Sequence, residues 1–242
     1  MRLIVASFLI TCLSFSQGFL HNSNGEVVDG NGEPILLRGF GLGGWLVPEG
    51  YMLHNQAWIS GFESPTDIEN HVENLIGPDA AEDFWMLYRA NYVAQADIDQ
   101  IADWGFNHIR VPFHYKQFYD PTGTQTPIGY AIIDELINWC EPHNMYIILD
   151  MHCAPGAQNG GPISDSDGTA RLWLEEENKE LTVQIWREIA EYYSNNPLIG
   201  GYDLINEPVL PSNVSLEEFK QLYIDITEAI REVDNNHLIW IE

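Results

Sequence analysis

The chain has 242 residues, of which 45% are hydrophobic and 12% aromatic, which suits one large domain with a substantial core and excludes a disordered segment. Ten basic residues against 36 acidic residues give a net charge of -26, which argues against nucleic acid or an anionic membrane surface as a partner. A neutral ligand is compatible with that charge, and the aromatic side chains suit either core packing or stacking against sugar rings.

The first residues have the composition of a secretory signal. Arg2 gives a positive start, residues 3–13 form an apolar run too short to span a bilayer, and residues 14–16 offer small residues for cleavage. We therefore expect a secreted protein, extracellular or periplasmic, with residues 1–16 removed. Residues 9–12 (LITC) resemble a lipid-attachment signal only weakly, because a threonine stands where a smaller residue is usual.

A hairpin and a strand are predicted next. Residues 25–32, with the turn DGNG at 29–32, predict a β-hairpin placed to plug the amino-terminal mouth of a barrel. Residues 34–38 (PILLR) predict the first strand of the main sheet. Residues 56–91 form a long, partly helical insertion after it, and insertions of this length usually shape a cleft.

A helix-period segment that leads to an apolar strand then occurs four times, and the strands are residues 108–113, 146–151, 199–205 and 238–241. The apolar helix positions before them include Ile98 and Ile101, Ile133 and Leu136, Ile185 and Ile189, and Ile226 and Ile230. Ser215 and Glu218 predict a capping box that opens the last helix. Apolar strands that alternate with amphipathic helices indicate a parallel sheet covered by helices.

Two α/β folds fit five strands of this kind. A doubly wound sheet is one, but no glycine-rich phosphate loop follows the first strand. Polar residues end nearly every strand, namely Arg110, His152, Asn206, Glu207 and Glu242, which is typical of a (β/α)8 barrel. The predicted fold is therefore an α/β (β/α)8 TIM barrel, truncated after about strand five, with an amino-terminal β-hairpin, in one domain over residues 17–242.

Cys140 and Cys153 are the cysteines of the predicted mature chain. Cys140 ends a helix at one end of the predicted barrel, whereas Cys153 follows a strand that runs to the other end, so we expect no disulfide between them. No spacing of Cys and His suggests a metal site, and no cofactor is expected.

Residues 206–208 (NEP) carry the clearest chemical signal. Glu207 follows a buried strand directly, which places a carboxyl group where acid–base chemistry is favoured. The alternative is a glutamate that only caps or pairs with a neighbouring charge.

Four segments of the chain resemble glycoside hydrolase family 5, the cellulase-type (β/α)8 glycosidases. They are residues 38–45 (RGFGLGGW), 109–113 (IRVPF), 149–152 (LDMH) and 203–208 (DLINEP), and they occur in order at strand ends. The resemblance extends over essentially everything after the predicted signal. It implies retaining hydrolysis of β-linked glycans by two carboxylates about 5 Å apart, one a proton donor and the other a nucleophile.

The resemblance also implies roles for single residues. Glu207 matches the proton donor, Asn206 the ligand of the sugar 2-hydroxyl, Arg110 the arginine that orients the nucleophile, and His152 the histidine of the central subsite. Candidate substrate-binding residues are Trp45, His114, Tyr115, Gln158, Asn159 and Trp173, for each of which a purely structural role is the alternative. Three further tryptophans lie on helical stripes and are predicted to be core residues: Trp104, Trp139 and Trp186.

The chain also departs from the family. The family's nucleophile, a glutamate that ends strand seven, has no counterpart here, and Glu242 ends only strand five. We therefore expect the amino-terminal five-eighths of a protein that is monomeric when complete and acts on a neutral polysaccharide or oligosaccharide. An endo-β-1,4-glucanase is the first hypothesis.

Other activities of the same barrel stay open: mannanase, xyloglucanase, exo-β-1,3-glucanase and β-glucosidase. Residues 41–45 and 158–160 favour exo-glucanase-like relatives slightly. The alternative from another class is a non-catalytic glycan-binding barrel that lacks its nucleophile. A reading frame that continues past Glu242, with a glutamate at the end of a seventh strand, would distinguish the enzyme from it.

Overall fold

The computed structural model describes residues 18–53 and 63–242, so the predicted signal sequence lies outside the described residues. The described chain begins with a hairpin of β1 (His21–Ser23) and β2 (Glu26–Val28), which pair antiparallel. Its turn is Asn24-Gly25, with φ values of 53° and 87°, and not residues 29–32 as predicted. Asn-Gly is the strongest two-residue hairpin signal, because both residues tolerate a left-handed backbone. Residues 29–32 form a second turn, after which Pro34 pairs with Val28.

The rest of the fold alternates helices and strands. In chain order the elements are β3 (Gly39–Gly41), α1 (Gly50–Leu53), α2 (Pro65–Ile76), α3 (Pro78–Tyr92), α4 (Gln95–Asp103), β4 (His108–His114), α5 (Ile128–Cys140), β5 (Tyr146–Cys153), α6 (Glu176–Tyr193), β6 (Ile199–Asp203), α7 (Leu216–Val233) and β7 (Ile239–Trp240). The helix α7 begins with the predicted capping box of Ser215 and Glu218. In the described part of the chain, no helix is both long and apolar enough to cross a bilayer.

The main sheet within the described residues has five parallel strands, and their spatial order, β3 to β7, is the same as their order along the chain. A helix stands before each strand from β4 to β7. This sequential order is that of successive strands in a (β/α)8 barrel, and it differs from a doubly wound sheet, in which the order reverses at a switch point.

The first strand of the sheet lies later than predicted. Residues 34–38 are apolar, but Ile35 donates its backbone N–H to Val27 next to the hairpin, and Leu36 is 67% exposed. The side chain of Asn107 bonds to the backbone of Arg38 and Leu36, so the chain joins the sheet only at Gly39. A Cβ at Gly39 would lie 1.9 Å from the His108 ring, which is why glycine is required there.

Residues before the hairpin pack against the amino-terminal ends of the strands. Leu20 is 1% exposed, and a Cβ at Gly200 in β6 would lie 3.3 Å from it. The hydroxyl of Tyr146, the first residue of β5, donates to the backbone oxygen of Gly18 over 3.2 Å. The opposite, carboxyl-terminal ends of the strands therefore remain for the polar residues.

One hydrophobic core lies between the sheet and its helices. The eight helix positions named above are buried in it, as are the outward residues of β4 and β5: Ile98, Ile101, Ile133, Leu136, Ile185, Ile189, Ile226, Ile230, Ile109, Val111, Ile147 and Leu149. Cys140 and Cys153 are buried and free of disulfides, as predicted. Trp186 is a core residue and Trp139 packs partly against the core. The prediction for Trp104 is wrong, because this residue follows α4 as its C-cap and is 63% exposed.

Candidate active site

Arg110, in β4, lies at the centre of a polar cluster at the carboxyl-terminal ends of the strands. Its guanidinium nitrogens lie 3.0 Å from Asp150, 2.8 Å from Asp203 and 2.9 Å from Glu242. Burial disfavours the charge of Arg110, but Asp150 and Asp203 outweigh burial and raise its pKa. Side chains from three neighbouring strands, β4, β5 and β6, and Glu242, which lies two residues after β7, therefore meet at one cation.

The carboxylates of this cluster outnumber the cation. Burial and the charge of Asp150 raise the pKa of Asp203 to about 6, although Arg110 opposes this shift. Burial also raises the pKa of Asp150, against the effects of His152 and Arg110. A buried group of acids that shares one guanidinium holds a proton more readily than separate acids in water would.

His152 joins the cluster from β5. It lies two residues after Asp150 on the same strand, so both side chains face the same side of the sheet. Its Nδ1 lies 2.7 Å from Asp150 Oδ2. Burial disfavours the imidazolium, but Asp150 outweighs burial and raises the pKa of His152. The carboxylate thereby orients the ring, and Nε2 lies 3.4 Å from Asn206 Nδ2.

Asn206 and Glu207 follow β6. Asn206 is 3% exposed and accepts a hydrogen bond from Arg110 at Oδ1. Glu207 has a φ of 46°, which is rare for a residue with a side chain and is further disfavoured before Pro208. Its backbone N–H donates to Glu242 over 2.7 Å. Strained backbone of this kind is concentrated at functional sites, since the surrounding contacts must hold it.

A cavity of about 350 Å³ lies beside Glu207. Pro162, Ile163 and Val209 form an apolar wall, and Asn159 lies next to Glu207. The exposed carboxyl of Glu207 can therefore reach a ligand in this cavity.

Gln158 and Asn159 frame the site rather than project freely into it. Gln158 is completely buried, and its Nε2 donates to the backbone oxygens of His152 and Asn206 over 2.7 and 2.8 Å. Asn159 Nδ2 donates to the backbone oxygen of Glu207 over 3.0 Å. The prediction that Gln158 binds sugar is corrected, because its amide already ties the loop after β5 to the end of β6. Asn159 also lines the cavity beside Glu207, so sugar binding by Asn159 stays a prediction.

The two predicted stacking tryptophans are core residues. Trp45 is 2% exposed and donates from Nε1 to the backbone oxygen of Arg89 over 2.8 Å. Trp173 is also 2% exposed, donates to the backbone oxygen of Gln158 and packs against Phe219. Burial leaves no ring face for a sugar, so the predicted stacking role is corrected for both.

His114 and Tyr115 lie in a separate group of side chains. His114 is 5% exposed and bonds to Asp165 over 2.9 Å, and its ring contacts the ring of Tyr115. Asp165 also accepts from Thr66 at the start of α2. The structure therefore brings together Arg110, His152, Asn206 and Glu207, but not His114 or Tyr115.

Three acidic residues of the site were not singled out from the sequence. Asp150 could have been found, because strand alternation places it beside His152. Asp203 begins the motif at residues 203–208, but nothing in its position along the chain marks it as part of the site. Glu49 had no signal: it is 2% exposed, lies 3.8 Å from His152, and has a pKa raised by burial. Within residues 18–53 and 63–242 no group of three His, Cys, Asp or Glu is placed to hold a metal ion.

Comparisons with known proteins point to one family. A family model described as cellulase (glycosyl hydrolase family 5) matches residues 65–242. A beta-xylosidase from Phanerodontia chrysosporium is 31% identical over 93% of this chain and 46% of its own length. A probable glucan 1,3-beta-glucosidase A from Aspergillus clavatus is 27% identical over 84% of this chain and 49% of its own. Endoglucanase C from Acetivibrio thermocellus is 31% identical over 62% of this chain and 42% of its own length. The chain thus spans about half the length of these relatives.

Solved structures share the fold. A rutinosidase from Aspergillus niger matches with a TM-score of 0.72 at 20% identity, over 85% of this chain and 62% of its own. A beta-glucanase from Saccharophagus degradans matches with a TM-score of 0.60 at 21% identity, over 93% of this chain and 54% of its own. The parallel sheet and its helices therefore correspond to part of a (β/α)8 barrel.

Proposed function

The chain belongs to glycoside hydrolase family 5, and from that premise we propose that the whole protein hydrolyses β-linked glycans with Glu207 as the proton donor. The observation that carries the proposal is the position of Glu207 at the carboxyl-terminal end of β6, beside the cluster of Arg110, His152 and Asn206. The exposed carboxyl group of Glu207 can contact a ligand, while hydrogen bonds from Arg110 and Gln158 hold the neighbouring Asn206 in place.

The proposed reaction has two steps. In the first, Glu207 gives its proton to the glycosidic oxygen as the bond to the anomeric carbon breaks, and a second carboxylate attacks that carbon to form a glycosyl–enzyme ester. In the second, the Glu207 carboxylate takes a proton from a water molecule as its oxygen attacks the anomeric carbon, and the bond from that carbon to the second carboxylate breaks, which frees the nucleophile. Two inversions give net retention of configuration.

Glu242 is not proposed as the nucleophile. Its Oε1 accepts from Arg110 over 2.9 Å and its Oε2 accepts from the Glu207 N–H over 2.7 Å, so both oxygens are engaged. These bonds support a role in holding the backbone of Glu207. By the resemblance, the nucleophile comes from a later strand of the whole protein.

Asn206, Arg110 and His152 are proposed to orient the sugar and the charges. Arg110 occupies Oδ1 of Asn206, so the amide NH2 is the group available to a sugar hydroxyl, a contact that strengthens in the transition state. The cation of Arg110 stabilises an ionised nucleophile nearby.

A β-glucan is the proposed substrate. An endo-β-1,4-glucanase is the first candidate, because the matching family model is described as cellulase. An exo-acting β-glycosidase is the second candidate, because the relatives named as a beta-xylosidase and a 1,3-beta-glucosidase match more of this chain than the endoglucanase does. A rapid fall in the viscosity of carboxymethylcellulose would support endo action, and release of single sugars from laminarin without such a fall would support exo action.

The variant Glu207→Gln of the intact protein tests the proton donor. We expect hydrolysis of unactivated glucans to fall by at least about 10²-fold, the usual scale for general acid catalysis, while substrates with good leaving groups lose less in the first step. Glu217→Gln, an exposed glutamate at the start of α7, is the control and should keep wild-type rates. Wild-type rates for Glu207→Gln on carboxymethylcellulose, lichenan and glucomannan would remove Glu207 from the role.

We also propose that the protein is exported, from the composition of residues 1–16. The test is the amino-terminal sequence of protein recovered from the culture medium of an expressing host. A start near Gln17 supports export, and an intact Met1 in the cell contradicts it.

A further inference from the structure

A second cavity, of about 260 Å³, opens on the same face of the molecule as Glu207. It lies between the turn after β4 and the loop after β5, and its wall includes His114, Tyr115 and Arg171. None of the four predicted catalytic residues lines it. The cavity is therefore separate from the cleft beside Glu207.

The charged side chains of this cavity are paired. Arg171 makes two bonds to Asp167, of 2.7 and 2.8 Å, and Lys116 lies 3.3 Å from Asp165. Burial lowers the pKa of His114, which favours its neutral form. The two ion pairs cancel, so the wall is locally neutral in a chain with a net charge of -26. An anion would be repelled by the rest of the chain, and an isolated cation has no unpaired carboxylate among these pairs.

The same wall presents donors beside acceptors. Arg171 and Lys116 donate, and the carboxylates paired with them accept. In the described part of the chain, the hydroxyls of Tyr115 and Thr169 make no hydrogen bond to protein, although both residues line the cavity. A ligand that carries several hydroxyl groups, each of which donates and accepts, matches this lining.

The wall is also held in place before any ligand binds. Asp165 accepts from the backbone N–H and the hydroxyl of Thr66 over 2.8 and 2.6 Å, and it bonds to His114. Binding to such a wall orders few side chains, which reduces the entropic cost of association.

The size of the cavity limits the size of its ligand, and its position relates it to the cleft beside Glu207. Its volume is just below the range of about 300–1,000 Å³ that holds drug-sized ligands, so it suits one sugar ring. Ser164 lines the cavity and donates to the backbone oxygen of Asn159, whose side chain donates to the backbone oxygen of Glu207. One loop thus separates the cavity from the cleft.

We propose that this cavity is an accessory binding site for one neutral pyranose unit, recognised by its hydroxyl groups. The unit comes either from a branch of the glycan or from a free monosaccharide. The first source rests on the proposed function, whereas the second does not.

The test uses the intact protein with Arg171→Gln, which removes the paired donor at a side chain that is 40% exposed. Arg187→Gln is the matched control, because Arg187 is 42% exposed and paired with Glu191 on the surface of α6. Thr169→Val is a second variant, in case Arg171→Gln lowers stability. Folding of each variant is checked by its melting temperature.

In the first arm, binding of free glucose, xylose and mannose is measured by ligand-observed NMR in the Glu207→Gln background. In the second arm, KM is compared for branched xyloglucan oligosaccharides and unbranched cello-oligosaccharides. We expect Arg171→Gln to weaken binding of a free sugar, or to raise KM for the branched substrate alone, by about tenfold, because a hydrogen bond to a charged group is lost. Arg187→Gln should change neither.

Folded Arg171→Gln and Thr169→Val variants that change neither quantity would overturn the proposal. Sugar binding that depends on Arg171 would uphold it even if Glu207→Gln kept wild-type hydrolysis, so the two proposals fail separately.

Discussion

Arg110 Nη2 donates to Asn206 Oδ1 over 3.0 Å, and this bond decides which end of the Asn206 amide faces the cleft. The NH2 group is left on the side of His152, whose Nε2 lies 3.4 Å away. One arginine in β4 therefore orients a donor that follows β6, in addition to holding Asp150 and Asp203. The position of Asn206 therefore depends on the planar geometry of the Arg110 guanidinium as well as on the charge of that group.

Arg110→Lys tests this dependence. Lysine keeps the charge but has only three N–H donors on one nitrogen, so it cannot bond to the four partners of Arg110, which are Asp150, Asp203, Asn206 and Glu242. We expect kcat/KM to fall by about 10²-fold, the usual cost of misplacing a group by about 1 Å. The control is Arg187→Lys on the surface of α6, which should keep wild-type kinetics. Unchanged kcat/KM in a folded Arg110→Lys variant would contradict the account.

Asp203→Asn tests the electrostatics of the cluster. The pKa of Asp203 is raised from 3.8 to about 6, so the folded protein binds this proton more tightly than the unfolded chain does between those pH values. The contribution of Asp203 to stability therefore falls as the pH rises from about 4 to 6. Relative to Asp203→Asn, the wild type should lose up to about 3 kcal/mol of unfolding free energy over that range, at about 1.4 kcal/mol per pKa unit.

Denaturant unfolding at several pH values from 4 to 7 measures this difference. Asp225→Asn, at an exposed position in α7, is the control and should follow the wild type throughout. Parallel curves for Asp203→Asn and the wild type would show that the burial of Asp203 does not shift its titration.

Trp45→Phe tests the correction made for that residue. The substitution removes the bond to the Arg89 oxygen and leaves a small cavity, so we expect a loss of about 1–3 kcal/mol of stability and no change in KM. Trp104→Phe, at a 63% exposed position, should change neither quantity. A large rise in KM for Trp45→Phe at an unchanged melting temperature would restore the stacking role.

The parts of the fold that depend on periodicity could be predicted from the sequence. The strands β4 to β7 and their helices lie where the apolar pattern places them, because burial on one side of a helix or in a covered sheet leaves a regular signal. The first strand was misplaced, because residues 34–37 are apolar, but Pro34 and Ile35 pair with the hairpin. The Asn107 side chain bonds to Leu36 and Arg38, and no local pattern reports so distant a contact.

The site shows the same division. Arg110, His152, Asn206 and Glu207 were singled out from strand-end motifs and lie together, although Arg110 stands within β4 and not at its end, and their catalytic roles stay predictions. Gln158 and Trp173 were given ligand roles because their residue types suit sugars. Both side chains are buried, and hydrogen bonds to distant backbone groups hold them there. Glu49 was missed because its approach to His152 is set by the fold of a loop. Side-chain orientation in loops was the information that the sequence lacked.

Azide rescue of Glu207→Ala in the intact protein tests the central claim most directly. With an aryl β-glycoside that has a good leaving group, the first step needs little acid assistance. Hydrolysis of the glycosyl–enzyme ester is then slow, because no base activates the attacking water. Azide needs no base, so it should accelerate turnover by about tenfold or more and give the β-glycosyl azide, whereas the wild type should not respond. Turnover of Glu207→Ala at the wild-type rate without azide, or an α-glycosyl azide as the product, would contradict the assignment of Glu207 as the proton donor of a retaining glycosidase.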